Sequence, residues 1–282
     1  VANFICVCEE DKVHLAEVNH LGKHLIVKSY FTAPLRSQNT LLQEVIAAAM
    51  DLIVAAGANS GDSVSICLPS QLGFTLPVPA KTENKVTRDT EVADYFLHAT
   101  GNSMDDYIGQ LGFSETETPY FFALAKSSRA LLASAFSDRG LFLTGLFLRS
   151  VVLYNLVEQY AANATSGVVY AGNRTLESWY VINGAAYWRQ LLPLIADGQA
   201  NNNWQSEQVD DLLPIAVESD LHLFGGKAFY LKKALEKRHS KVKIKFMDLS
   251  QRLILGPAAE EVLQEKEELR VLPLFLATVL SQ

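Results

Sequence analysis

The sequence predicts an α/β chain of two lobes that open in the same way, with a smaller α+β unit inserted in the first. Three observations predict it. Three strand-like runs fill the first thirty residues, three more begin near Thr165, and the stretch from about Leu72 to Gly145 between them has a different, mixed character.

Phe4–Cys8, Val13–Val18 and Leu25–Tyr30 are the first three runs. Glu9-Glu10-Asp11-Lys12 and the segment from Asn19 to Lys23 separate them, so they read as an antiparallel meander. Asn39-Thr40 then starts a helix, in which Leu41, Leu42, Val45, Ile46, Ala49, Leu52 and Ile53 recur at helical spacing. Gly57 to Asp62 is a loop, and Val64, Ile66 and Leu68 alternate as a strand ending at Pro69. The insert is expected to hold strands at Phe74 to Val78, Asp106 to Leu111, Tyr120 to Ala125 and Leu141 to Phe147. Its helices are expected at Asp89 to Ala99 and from a Ser127 cap to Ser137. Gly140 to Leu156, the most hydrophobic stretch, is interrupted by Arg149 and reads as a strand followed by a helix.

The opening pattern returns at Gly167–Tyr170, Leu176–Ile182 and Ala185–Leu191. Asn183-Gly184 is a hairpin signal, because both central positions of a type I′ turn take positive φ. A polar loop with Asn201-Asn202-Asn203 precedes a helix from Ser206 to Glu218. A strand at Leu221–Phe224 then runs to Gly225-Gly226, followed by a helix from Lys227 to Arg238, a strand at Val242–Phe246 and a closing helix from Leu272 to Leu280. The expected units are a first lobe at 1–70, an insert at 71–146, a returning helix at 147–164 and a second lobe at 165–282.

Composition narrows the function. The chain has 282 residues, 49% of them hydrophobic, which is ample for packed cores and leaves no long stretch too polar to fold. A net charge of -7 repels phosphate backbones and argues against nucleic acid as a partner. Cys6, Cys8 and Cys67 form no disulfide framework and read as reduced core thiols, a usage that suits the cytoplasm. No apolar run reaches membrane-spanning length and no signal peptide is visible, although a membrane anchor beyond Gln282 stays open. His14, His20, His24, His98, His222 and His239 are scattered, without metal-ligand spacing. One basic cluster stands out: Lys232, Lys233, Lys237, Arg238, His239, Lys241, Lys243 and Lys245. It reads first as a solvated helix face running into an edge strand, and second as a patch for anions or a membrane surface.

A duplicated meander with an α+β insert in its first half resembles the actin-like ATPase superfamily, with its ribonuclease H-like lobes. Within that superfamily the chain resembles PilM, the cytoplasmic actin-like protein of type IV pilus assembly, and its relative FtsA. The likeness is carried by Ser65-Ile66-Cys67-Leu68-Pro69 entering the insert and by Phe121 to Lys126 followed by a helix and Arg139-Gly140-Leu141. It also rests on Leu223-Phe224-Gly225-Gly226 and the helix from Pro273 to Leu280.

The departures bear on chemistry. In active members the first hairpin turn carries an acidic residue and then glycine, to hold metal and cradle phosphate. The matching turn here, Cys8-Glu9-Glu10-Asp11-Lys12, has no glycine and three carboxylates. The second hairpin of active members carries Asp, Gly and hydroxyl residues. Here Tyr170 stands at the carboxylate position, before Ala171-Gly172-Asn173-Arg174-Thr175. Only 55 residues separate Tyr170 from Gly225, which leaves little room for the subdomain that closes over the nucleotide. The expectation is a pseudo-ATPase without a working ATP–Mg²⁺ site, because phosphoryl transfer depends on positioning and charge stabilisation.

Several residues carry two readings. Glu9, Glu10 and Asp11 read first as a solvated acidic turn and second as a Mg²⁺ site. Gly225 and Gly226 form either a tight strand-to-helix turn or, with Gly172, Asn173 and Thr175, a residual nucleotide cleft. Trp179, Tyr180, Tyr187 and Trp188 share one hairpin, and alternation turns one of each adjacent pair outward, either into a core or toward a partner.

PilM-like proteins bind a short cytoplasmic tail of an inner-membrane partner, PilN. The resemblance therefore implies a peptide cleft between the first lobe and the insert, bounded by Pro69, Gln71, Phe74, Leu76, Tyr120, Phe122 and Leu124. It implies a non-catalytic scaffold of a pilus-like or secretion machine, cytoplasmic and peripheral to the inner membrane. Two alternatives stay open: a divergent nucleotide-binding ATPase or kinase, and the cytoplasmic domain of a GspL-like type II secretion protein.

Overall fold

The computed structural model describes residues 1–22, 24–35, 42–78, 85–112, 119–160, 165–173, 175–182, 185–191, 220–238, 242–247, 252–262 and 272–280. Strands β1 (Asn3–Cys8), β2 (Lys12–Leu21) and β3 (His24–Pro34) form an antiparallel meander. Helix α1 (Leu42–Ala55) follows, and β4 (Ser63–Leu68) returns parallel to β1. The insert comprises β5 (Gly73–Pro77), α2 (Lys85–Thr100), β6 (Tyr107–Gly112) and β7 (Tyr120–Ala125). Helix α3 (Lys126–Ser137) leads to β8 (Phe142–Leu148), and α4 (Arg149–Tyr160) follows without a break.

The second meander is β9 (Thr165–Ala171), β10 (Leu176–Ile182) and β11 (Ala185–Leu191). After it come β12 (Asp220–Phe224), α5 (Ala228–Arg238), β13 (Lys243–Phe246), β14 (Leu253–Leu255), α6 (Pro257–Val262) and α7 (Leu272–Leu280).

The duplication shows in strand order. The first sheet runs β14-β3-β2-β1-β4-β8 and the second β11-β10-β9-β12-β13. In each, an antiparallel meander ends on a strand that the next two strands join in parallel. This is a mixed α/β fold with two sheet lobes and interspersed helices. The insert adds a three-stranded sheet of order β5-β7-β6.

Sequence explains the inner strands. β1 is buried from Phe4 to Cys8 on both faces, and its near-continuous apolar run suits a strand flanked by parallel neighbours and covered by helices. All three cysteines lie here or on β4 as buried free thiols. Burial raises the Cys67 thiol to about 12, which keeps it protonated and inert.

Several expectations need correcting. The sequence places residues 165–282 in the second lobe, yet β14 pairs in parallel with β3 and α7 packs on α4, β1 and β4. The chain therefore returns to the first sheet at its end, because the apolar Leu272, Leu274 and Phe275 of α7 bury against that sheet. β14 was not anticipated, since a three-residue strand carries too little alternation to read. Helix α3 starts at Lys126 with Ala125 as its N-cap, and no side chain caps it. Asn183-Gly184, the loop at Asn201-Asn202-Asn203 and the helix expected from Ser206 to Glu218 lie outside the described residues; the pair Ile182–Ala185 flanks the first of these.

The lobes share one core. Trp179 of β10, with no exposed surface, packs edge-on against Tyr120 of the insert at 4.6 Å and Tyr154 of α4 at 5.0 Å between ring centroids. Its indole nitrogen donates to the Ser150 carbonyl at 2.8 Å. The side chain thus bridges the second sheet, α4 and the insert. Trp179→Ala should lower unfolding free energy by about 3–5 kcal/mol in denaturant titration, as loss of a large buried aromatic does.

Candidate functional site

Two places gather the residues that the sequence singled out. The first is where the turn after β1 meets the turn after β9. Glu9 and Glu10 do not form a solvated turn: they keep only 8% and 3% of their surface, because the second lobe closes over them. The Tyr170 hydroxyl donates to Glu9 Oε1 at 2.6 Å, and Asn173 Nδ2 donates to Asp11 Oδ2 at 2.7 Å. The other Glu9 oxygen meets His14 Nε2 at 2.9 Å, and His14 Nδ1 shares a 2.6 Å hydrogen bond with the Tyr30 hydroxyl.

Arg149, the first residue of α4, is completely buried at the centre. Its Nη2 donates to Glu10 Oε1 and to Glu177 Oε1, each at 2.6 Å, and its Nε donates to the same Glu177 oxygen at 2.9 Å. The guanidinium carbon lies 4.2 Å from the centre of the Tyr170 ring. Ser70 Oγ donates to Glu177 Oε2 at 2.5 Å, and Gln190 Nε2 donates to Glu177 Oε1 at 3.2 Å. Glu10 comes from the turn after β1 and Glu177 from β10, so one cation bridges a carboxylate from each lobe.

The electrostatics differ between neighbours. Burial alone would raise Glu9, but the His14 and Tyr170 hydrogen bonds, with the charges of His14 and Arg149, hold it down at about 2. Glu10 moves the other way. Burial raises it, the charges of Glu9 and Glu177 add to the rise, and Arg149 offsets only part of it. Burial also lifts the Tyr170 phenol well above its usual range, which keeps it a neutral donor to Glu9.

The residues of the expected residual nucleotide cleft do come together. Gly225 takes φ 99°, and a Cβ there would stand 2.5 Å from the Ala171 carbonyl oxygen. A Cβ on Gly226 would lie 3.6 Å from Asn173 Oδ1, and Thr175 is fully buried beside the same turn. The space is filled by protein, however. A Cβ on Gly172 would fall 2.7 Å from Glu10 Oε2 and 2.8 Å from the Tyr170 ring. With three carboxylates at the turn and the one central cation already paired, these residues do not fit a magnesium–triphosphate. No group of three or more metal-ligating side chains occurs among the described residues.

The second place is a cavity of about 310 Å³ between the outer edges of β6 and β8. Among the described residues β6 pairs only with β7, and β8 only with β4, so two strand edges face the same groove. Phe122 and Leu124 line it, together with Ile108, Arg129, Leu146 and Val151. Pro69, Gln71, Phe74, Leu76 and Tyr120 do not. For Phe74 and Leu76 strand parity is the reason. Phe74 and Leu76 point to the α2 face of the insert, where Phe74 packs on Phe96 and Tyr107 at 5.4 and 5.5 Å. Tyr120 turns to the second lobe, where its hydroxyl accepts from the Trp188 backbone N–H at 3.0 Å. Pro69 is buried and Gln71 half-buried in the turn before β5.

Of the two aromatic pairs, Tyr187 and Trp188 alternate as expected, with Trp188 packed on the core, while the other pair does not. Trp179 and Tyr180 are both buried, since the second sheet is covered on both faces, whereas Tyr187 is 44% exposed. Arg149 and Glu177 belong to the site without any motif in the sequence that marks them. A lone arginine within the most hydrophobic stretch was the available signal, because such a charge is buried only with partners.

No protein-family model matches the chain, and no curated protein matches it in sequence. Solved structures do. A chain of a PilM–PilN type IV pilus biogenesis complex superposes with a TM-score of 0.67 at 13% identity, over 99% of this chain and 97% of that one. A Bacteroides thetaiotaomicron protein with an actin-like ATPase fold and unknown function gives 0.54 at 12% identity, over 89% and 93%. The fold is that of the actin-like ATPases. The cytoplasmic domain of EpsL, an inner-membrane component of the Vibrio cholerae type II secretion system, gives 0.54 at 9% identity, over 100% and 96%.

Glu9 makes this site sensitive to acid. A carboxylate held near 2 in the folded chain and near 4.5 when unfolded adds stability above about pH 4.5, and that contribution is lost as pH falls toward 2. Glu9→Gln should cost on the order of 3 kcal/mol at pH 7 and flatten the fall in stability over that acid window. Thermal melts of both proteins from neutral to acid pH measure it.

Proposed function

We propose that the chain is a non-catalytic scaffold that holds an extended peptide from a membrane-anchored partner of a pilus-like or secretion machine, as a PilM-like protein. The observation that carries this reading is the groove between two strand edges that are unpaired among the described residues, lined by Phe122, Leu124 and Ile108. A peptide entering it as a strand gains main-chain hydrogen bonds from an edge and anchors alternate side chains on apolar walls. The fold likeness to a chain of the PilM–PilN complex supports the kind of partner, a PilN-like cytoplasmic tail.

The occupied, carboxylate-rich centre supports the absence of catalysis. A triphosphate would have to displace the Tyr170–Glu9 and Asn173–Asp11 hydrogen bonds and then meet Glu10. The likeness to the EpsL cytoplasmic domain favours a second reading, a GspL-like component of type II secretion. The two readings part on whether a pilus or a secretion membrane protein is captured.

Calorimetry with ATP and Mg²⁺ should show no saturable binding, and tight binding with phosphate release overturns the scaffold. Tail peptides of candidate membrane partners should bind, and Ile108→Asp on the groove edge should weaken capture about tenfold or more. Phe74→Asp is the contrasting variant: its target lies in the insert core, so it should lower the melting temperature as well as capture.

A further inference from the structure

The second lobe ends at an edge whose chemistry the rest of the chain does not share. From Lys227 to Phe246 the sequence has eight Lys and Arg against one Glu, while the other 262 residues hold sixteen Lys and Arg against thirty Asp and Glu. Its described residues include α5 and β13, the outermost strand of the second sheet among the described residues. Leu231, Leu235 and Ile244 fasten helix to sheet, so the polar sides of both elements are left outward.

Three aromatic rings lie on this surface. Phe229, Tyr230 and Phe246 are 41%, 38% and 45% exposed. Each sits under an ammonium group: Lys233 at 4.5 Å from the Phe229 ring, Lys227 at 5.5 Å from Tyr230 and Lys232 at 5.0 Å from Phe246. The last contact joins helix to strand, so the elements form one surface. Two of the lysines also meet carboxylates, Lys232 with Glu236 at 3.6 Å and Lys245 with Asp220 at 3.1 Å. Lys233, Lys237 and Lys243 are exposed.

We infer that this α5–β13 edge is a docking surface for an anionic lipid bilayer. Lysines on an outermost strand by themselves would be explained as a guard against strand addition, and they disfavour another protein's strand as the occupant. That guard does not require exposed phenylalanines on the same surface. Rings with lysine stems laid over them match a bilayer boundary, where aromatic groups sit at headgroup depth and ammonium groups reach lipid phosphates. Charge complementarity is local, because an otherwise acidic chain is repelled by an anionic leaflet and would approach it edge-first. The inference is independent of the groove, which belongs to other sheets.

Co-sedimentation with vesicles tests it, using equimolar phosphatidylglycerol and phosphatidylcholine beside phosphatidylcholine alone. The chain should bind the anionic vesicles only, and salt should release it. Lys233→Glu/Lys237→Glu/Lys243→Glu together should weaken partitioning roughly a hundredfold. Phe229→Ala/Phe246→Ala should weaken it with charge unchanged, and unaltered melting temperatures certify that both variants fold. Absence of binding to the anionic vesicles at low salt overturns the inference. So does equal binding to polyglutamate or duplex DNA that the aromatic variant leaves intact, since the surface would then recognise an acidic macromolecule.

Discussion

A fully buried guanidinium between two carboxylates from different lobes is the constraint on which the rest of this structure depends. Taking Arg149, Glu10 and Glu177 out of water costs several kcal/mol per ion, and the cost is offset only while all three stay in contact. The lobes can therefore separate only by exposing or unpairing buried charge. Tyr170, Ser70 and Gln190 add a cation–π contact and two hydrogen bonds around the same ions. The arrangement favours one relation between lobes over a hinge, since each partner arrives on a different element.

The same network gives adjacent residues opposite behaviour. Glu9 is embraced by a histidine and a phenol and stays ionised far into acid. Glu10 shares its cation with Glu177 and sits beside Glu9, so its carboxyl is raised. A turn that reads as three equivalent surface charges is, in the fold, three distinct groups: one in a relay, one in a buried ion pair and one, Asp11, bonded to Asn173 across the lobes.

Much of the fold was legible because its signals are local. The strands Leu176–Ile182 and Ala185–Leu191 have the expected bounds, since their ends are marked by turn residues. The repeated meander was legible for the same reason. What was illegible depends on contacts distant in sequence. The burial of Glu9 and Glu10 needs Tyr170, some 160 residues away. The return of α7 to the first sheet needs α4 and β1 as neighbours, which an apolar helix does not name. Of the candidate groove residues, Phe122 and Leu124 reach the cavity, and strand parity sends Phe74 and Leu76 to the opposite face. A correct strand prediction without knowledge of which face meets the helix leaves half of such a list misplaced.

The closed centre and the open groove are mechanically one object. Arg149 follows Leu148 directly, so the residue that fills the inter-lobe space also anchors the end of the strand that forms one groove wall. Ser150 shares a hydrogen bond with Thr75 of β5 at 2.6 Å, and its backbone N–H donates to Ser70 Oγ at 2.9 Å, which ties the insert to the same helix start. Tyr120, on the strand that carries Phe122 and Leu124, is held by Trp179 and the Trp188 backbone. Both walls thus hang from the first turn of α4 and the second meander. The turn is fixed by buried charge, so the two walls of the cavity are held in one relation to each other.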